Sequence, residues 1–399
     1  MITPIFRKIN LEPYRPGRFV SKNNKKVIKL SANESALGIG KKVQKVLKTF
    51  DKKISKYPDS KFKVLTHVIS KKYKCNRNQI ICGSGSDEII QMLCQLFLKP
   101  KDEVIVPECT WTASVAPVVY QRATPVFADI DPENWCLDPI SVRERITAKT
   151  KAIIVVDLYG NMHKMEEFES ISLEYGIPLI EDAAEALGST YKGLRAGKFG
   201  VGGVHSFHRT KTMTTGEGGS LLIDDQDLYE RAKFLRDHGR SSDIPYVILE
   251  ATPKYMPSNF QAALGYAQFQ RIDKLVAKKR HFLHRFKENL SDIEDLQMNL
   301  ENEDVYNGVW ATSLVFGKSH KIYKNEAMEK LAEKGIPSRA FFYPLSSLPT
   351  YDHYKTGSRE INPNSYDISE RGITLASHYL LTDKEIDFIC DGIKSIVRG

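Results

Sequence analysis

The stretch Gln79-Ile80-Ile81-Cys82-Gly83-Ser84-Gly85-Ser86-Asp87-Glu88-Ile89-Ile90 decides the fold. A short apolar run stops at a Gly-Ser turn, and a helical pattern begins at once. Residues 79–82 read as a strand. Residues 86–98 read as a helix with Ile89, Ile90, Leu93, Leu96 and Phe97 on one stripe. The alternation recurs downstream. Runs at 103–106, 124–128, 152–156 and 178–180 are short and apolar, with polar or helical stretches between them. Short apolar strands alternating with helices predict an α/β fold, its mostly parallel sheet covered by helices on both faces.

Further along, 220–223 reads as a strand and 226–235 as a helix. Residues 261–290 read as one long helix leaving the sheet. Residues 309–316, 324–334, 338–342 and 384–397 then read strand, helix, strand, helix, which is a small α+β domain. Upstream, 29–35 reads as an ordered arm or short strand, and helical patterns cover 41–50 and 61–72. The expected organisation is an N-terminal arm at 1–35, a large domain at 36–270 and a smaller C-terminal domain at 271–399. A chain of 399 residues suits two cores better than one.

Composition narrows the class. Hydrophobic residues make up 41% and charged residues 27%, as in soluble globular proteins. No apolar run of about 18 residues predicts a membrane span. The opening residues, Met1 to Lys8, lack the apolar stretch of a signal peptide, so a cytoplasmic location is expected. Six cysteines without a C-x-x-C pair read as reduced thiols, and no metal site is expected. The net charge is +9. No basic run carries interleaved aromatics or a zinc or helix-turn-helix context, so nucleic acid is not the expected partner. A lysine-rich surface also suits anionic, phosphate-bearing small molecules.

Four local features point to chemistry. Lys211 sits in His205-Ser206-Phe207-His208-Arg209-Thr210-Lys211-Thr212-Met213-Thr214-Thr215-Gly216-Glu217-Gly218-Gly219, between a strand end and a glycine-rich loop. Alone it reads as one more surface lysine. In this setting it can be held beside a ligand. Asp182 closes the strand Pro178-Leu179-Ile180-Glu181-Asp182, where a carboxylate faces the ligand crevice of a parallel sheet. It reads equally as the cap of the following Ala183-Ala184-Glu185-Ala186 helix. Glu185 is close enough in sequence to join the same site, or it is a solvated helix charge. Gly85, Ser86 and Asp87 stand at a helix N-terminus, where free amides and the dipole bind phosphate. A plain strand-to-helix turn has the same spelling. Ser206 can add a hydroxyl to that phosphate, or it is a buried strand-end serine. Trp111 follows a strand end and can stack on a flat ring, or pack in a core or interface.

Together these match what pyridoxal 5'-phosphate asks of a protein: a lysine for the covalent link, a carboxylate on the ring nitrogen, an aromatic on the ring face and an anion cradle.

Several separate runs carry a family resemblance: 102–107, Ala123-Thr124-Pro125-Val126-Phe127-Ala128-Asp129-Ile130-Asp131-Pro132, 181–189, 206–219, Ser258-Asn259-Phe260-Gln261-Ala262-Ala263-Leu264-Gly265 and Gly335-Ile336-Pro337-Ser338-Arg339-Ala340-Phe341-Phe342-Tyr343-Pro344-Leu345. They occur in order over residues 100–390, and they resemble the DegT/DnrJ/EryC1/StrS sugar aminotransferases. The resemblance implies a fold-type I pyridoxal-phosphate transferase and a homodimer with sites at the subunit interface. It implies a nucleotide-linked keto-deoxy sugar as acceptor, for surface polysaccharide, and L-glutamate as usual donor. By the same resemblance Lys211 carries the cofactor, Asp182 meets the ring nitrogen, Ser206 the phosphate, Trp111 the ring face and Glu185 the ring hydroxyl. Residues 254–259 match a segment that reaches the neighbouring subunit's cofactor, and Lys254 stands where the family often has a phosphate-binding asparagine.

The N-terminal part is different. Leu11-Glu12-Pro13-Tyr14-Arg15-Pro16-Gly17, residues 30–34, Tyr57-Pro58-Asp59 and residues 83–88 resemble histidinol-phosphate aminotransferases. That resemblance implies that Gly85, Ser86 and Asp87 hold the cofactor phosphate, and it opens an alternative acceptor, a small phosphorylated ketone. A dehydratase of the same family is disfavoured, because those enzymes replace the lysine with histidine. A cofactor-binding regulator without catalysis is the reading from another class, and turnover with glutamate separates it.

Overall fold

A computed structural model describes residues 40–49 and 56–399. The arm expected at 1–35 lies outside the described residues.

The central sheet begins with β1 (Ile80–Gly83), β2 (Glu103–Pro107), β3 (Thr124–Ala128), β4 (Thr150–Val156) and β5 (Leu179–Asp182). A small hairpin, β6 (Thr190–Tyr191) and β7 (Leu194–Arg195), interrupts the alternation before β8 (Gly202–Ser206) and β9 (Gly219–Leu222). The seven-stranded order is β1-β9-β8-β5-β4-β2-β3. Neighbours from β3 through β8 run parallel. β9 is antiparallel to both β8 and β1, so β1 points the same way as the rest. The carboxyl ends of β1, β2, β5 and β8 therefore share one edge, where an open α/β sheet binds ligands.

The pleat explains why these strands are apolar throughout. Val104, Val106, Ile154, Val156 and Ile180 join the core built on the helix Ser86–Phe97. Their alternates Ile105, Ile153, Val155 and Leu179 join Met165, Phe168 and Ile171 of the helix Met165–Tyr175 on the other face. Both faces are dry, so no polar alternation is left in the sequence.

A second sheet lies further along the chain. β10 (Leu296–Met298) is followed by β11 (Val305–Tyr306), which pairs back onto β6. β12 (Ser313–Phe316), β13 (Arg339–Ala340) and β14 (Gly372–Thr374) complete a four-stranded sheet in the order β10-β12-β14-β13. It packs on the helices Ile272–Asn289, Lys324–Glu333 and Asp383–Val397. An aromatic cluster of Trp135, Tyr159, Trp310 and Phe341 lies between the two sheets.

Two expectations need correction. The long helix expected at 261–290 is two helices, Asn259–Phe269 and Ile272–Asn289, with Gln270 and Arg271 between them. The strand expected at 309–316 begins only at Ser313, because Val309 is in the left-handed region at φ +53° and cannot extend a ladder. The six cysteines are free thiols, five of them buried. No helix among the described residues is long and apolar enough to cross a membrane.

Candidate active site

Four strand ends bring the expected residues to one edge of the sheet. At the end of β5 the pleat turns neighbouring carboxylates to opposite faces. Glu181 accepts backbone N–H bonds from Gly197 at 2.7 Å and Phe199 at 2.8 Å, which fastens a loop. Asp182 faces the crevice instead. Its Oδ2 accepts from the Ser114 hydroxyl at 2.7 Å, and its Oδ1 from the Ala184 N–H at 3.0 Å. Burial pushes the Asp182 carboxyl above its ordinary range, against those hydrogen bonds and the Lys211 charge, which favour the ionised form.

Lys211 follows β8 in a turn whose N–H donates to the His208 carbonyl at 3.0 Å. Its Nζ reaches Glu185 Oε1 at 3.1 Å, with only 13% of the lysine side chain exposed. Glu185 Oε2 accepts the Tyr159 N–H at 3.0 Å. Burial raises the Glu185 carboxyl, and the Lys211 charge opposes that shift. The amine also lies 4.3 Å from the centre of the Trp310 ring.

The phosphate candidates gather at the end of β1. Gly85 precedes the helix Ser86–Phe97 in extended backbone. The Ser86 hydroxyl donates to the Ser206 hydroxyl at 3.0 Å, joining the β1 turn to the end of β8. Gly219 lies between them in register, opposite both Gly83 and Ser206. A Cβ on Gly219 would stand 3.0 Å from the Ser86 amide nitrogen. That glycine keeps open the space in front of a helix N-terminus, beside the hydroxyls of Ser86 and Ser206. Asp87 is exposed in the first helical turn, with its Oδ1 3.3 Å from the Ser86 hydroxyl oxygen.

Trp111 is 56% exposed beyond the end of β2 and touches Phe342, with ring centres 5.7 Å apart. Its ring remains available for a flat ligand. Lys254 is exposed. The carbonyl of the next residue, Tyr255, accepts the Ser84 N–H at 2.8 Å, which places this segment beside the β1 turn.

Three contributors escaped the sequence. Ser114 lies in a short 3₁₀ turn, Thr112–Ser114, with nothing local to mark it. Tyr159 lies just past the end of β4, so the strand-end rule that singled out Asp182 would have found it. Trp310 reaches Lys211 only through the fold.

The DegT/DnrJ/EryC1/StrS aminotransferase family matches residues 42–394. The chain belongs to this family. It is 35% identical over 311 residues to GDP-perosamine synthase of Escherichia coli O157:H7, covering 78% of this chain and 83% of that protein. It is 34% identical to the L-glutamine:2-deoxy-scyllo-inosose aminotransferase of Streptomyces kanamyceticus, covering 68% of this chain and 66% of that one. Its fold matches that of DesI, solved in the presence of its TDP-sugar product, with TM-score 0.82, 23% identity and 93% of each chain covered. This is a fold-type I, pyridoxal-phosphate-dependent aminotransferase. The residues on the sheet edge fit that cofactor. A cradle that a Cβ at Gly219 would crowd, a buried carboxylate on one strand end and an enclosed lysine stand together.

Proposed function

We propose that this aminotransferase moves an amino group from an amino acid, L-glutamate in our reading, to the keto group of a nucleotide-linked keto-deoxy sugar, a precursor of surface polysaccharide. The observation that carries the site is the enclosed Lys211 amine, 3.1 Å from Glu185 beside buried Asp182. The sugar class rests on relatives named for a GDP-linked product and a TDP-linked sugar. The small phosphorylated ketone is not favoured. The family match runs through nearly the whole chain, whereas half of the runs that resemble histidinol-phosphate aminotransferases lie before residue 40.

When bound, pyridoxal phosphate supplies the electron sink and carries the amino group between donor and acceptor. Ser86, Ser206 and the amides at Gly85 to Asp87 hold the phosphate. Asp182 would keep a proton on the ring nitrogen, and Trp111 would cover a ring face. Lys211 holds the cofactor covalently. With the cofactor held there, the Lys211 amine would be the base placed to take and return the proton of the reacting carbon. Glu185 orients the amine. We infer that the enzyme works in the cytoplasm as a homodimer.

The test begins with the purified parent protein. It is expected to be yellow, to bleach with glutamate or glutamine and to regain colour with a nucleotide-linked keto sugar. Borohydride should fix cofactor to Lys211, and Lys211→Ala should abolish both fixation and turnover. Fixation at another lysine would defeat the assignment. Recolouring by keto-phosphates alone would move the acceptor to the small-ketone class.

A further inference from the structure

The Lys211 amine faces Trp310 as well as Glu185, and an indole face attracts a cation at their 4.3 Å separation. The indole N–H donates to the Thr210 carbonyl at 2.8 Å. The indole also lies parallel to the Tyr159 ring, 5.9 Å away at 5°. The Tyr159 N–H bonds the same Glu185 carboxylate that accepts from Lys211. The contacts close a circuit from Lys211 through Glu185, Tyr159 and Trp310 back to Lys211.

The backbone is sharply turned on both sides of this circuit. Tyr159 has φ +57° and Val309 φ +53°, positions that an aromatic and a β-branched residue rarely adopt. Such conformations persist only where their surroundings over-determine them, and they gather at functional sites. Here the surroundings are visible. Gly160 lets the turn approach so closely that a Cβ would stand 2.9 Å from the Val309 amide nitrogen. The buried Asn299 side chain donates to the carbonyls of Tyr159 at 3.1 Å and Ala311 at 3.0 Å.

Trp310 is pinned from a third side. Lys279, buried on the helix Ile272–Asn289, donates to the Trp310 carbonyl at 3.1 Å and to the Ser377 carbonyl. The Tyr379 hydroxyl donates to the Thr212 carbonyl at 2.6 Å. The carbonyls on both sides of Lys211 are thus held by aromatic residues from the C-terminal third of the chain.

We propose that Trp310 is a positioning residue for Lys211, seating its amine on the indole face, and that Lys279 is the pin that fixes Trp310. This rests on the reading of Lys211 as the cofactor lysine. The test uses cofactor-free parent protein, Trp310→Leu, Trp310→Phe and Lys279→Met. Covalent attachment of pyridoxal phosphate, in which the Lys211 ammonium gives up a proton to solvent and the free amine condenses with the aldehyde as water leaves, is followed by absorbance in a stopped-flow instrument. Non-covalent binding is measured with 4-deoxypyridoxine phosphate, which has no aldehyde. The analogue should bind all four proteins alike. Attachment should slow about tenfold or more in Trp310→Leu, the scale expected for a misplaced reacting group. It should slow less in Trp310→Phe, which keeps a ring face, and in Lys279→Met. Equal attachment rates in all four would overturn the proposal. So would a parallel loss of analogue affinity, which would mean a collapsed pocket. Attachment at another lysine in the parent would overturn the functional reading along with it, and the parent reveals that before any variant is compared.

Discussion

Asp182 is enclosed with only 3% of its surface exposed, and its two oxygens are spoken for by Ser114 and Ala184. Burial alone would favour the neutral acid, whereas a cationic ring nitrogen needs the carboxylate. The two hydrogen bonds and the Lys211 charge act in the ionised form's favour. Asp182→Asn keeps the shape and one accepting oxygen for the Ala184 N–H, with an NH2 that can donate to the Ser114 hydroxyl, but it cannot hold that proton. It should bind cofactor nearly as the parent does while turnover falls on the order of 10²-fold or more, about 2–4 kcal/mol in the barrier. Near-parental turnover in a steady-state assay would move the ring-nitrogen role elsewhere. At this scale the sequence was informative where chemistry coincides with a strand end. Lys211, Asp182, Ser86 and Ser206 each lie within a short motif at such an end. Ser114 does not, because a serine in a strand-to-helix connection has the same spelling whether it meets a carboxylate or water.

Elements were legible where one periodicity ran uninterrupted. The helices Ser86–Phe97 and Asp383–Val397 and the strands of the central sheet stand close to where the pattern puts them. The failures are places where distant contacts override local preference. Gln270 and Arg271 are not helix breakers, yet the chain turns there, with the Arg271 side chain bonding back to Gln268 at 2.7 Å. Residues 309–312 have the composition of a strand but are drawn onto the Tyr159-Gly160 turn. That turn supplies the prediction at this scale. Gly160 has φ +93°, and a Cβ there would stand 2.7 Å from the Asn307 Oδ1 and 2.9 Å from the Val309 nitrogen. Gly176, at the end of the helix Met165–Tyr175, has φ +65° with nothing near its missing Cβ. Both alanine variants incur the backbone strain, and only Gly160→Ala adds the clash. Gly176→Ala should lose about 1 kcal/mol and Gly160→Ala about 2–4 kcal/mol, read from urea unfolding midpoints. Equal losses would mean that the turn does not bear on residues 309 and 310 as tightly as the structure places it.

At the scale of the whole molecule, the completeness of the site turns on residues 254–259. Lys254 stands exposed, one residue from a carbonyl that bonds the β1 turn of its own chain. The family resemblance assigns that segment to the neighbour's phosphate. We propose that the active enzyme is a homodimer in which residues 254–259 of one protomer complete the partner's cradle. Lys254 would supply the positive charge there, because its ammonium suits a phosphate as a point charge even where an asparagine is usual. A mixing experiment separates the two geometries. One protein carries Lys211→Ala, and the other carries Lys254→Ala with Asn259→Ala. Each alone is expected to be inactive or nearly so. If the segment acts across the interface, a hybrid dimer places both lesions in one site and leaves the other intact. Activity should then return on mixing, to at most one working site in two within each hybrid. If the segment serves its own chain, every site keeps one lesion and mixing restores nothing. Sedimentation during turnover supplies the independent check, since full activity in a species of 45.3 kDa would exclude a site shared between two chains.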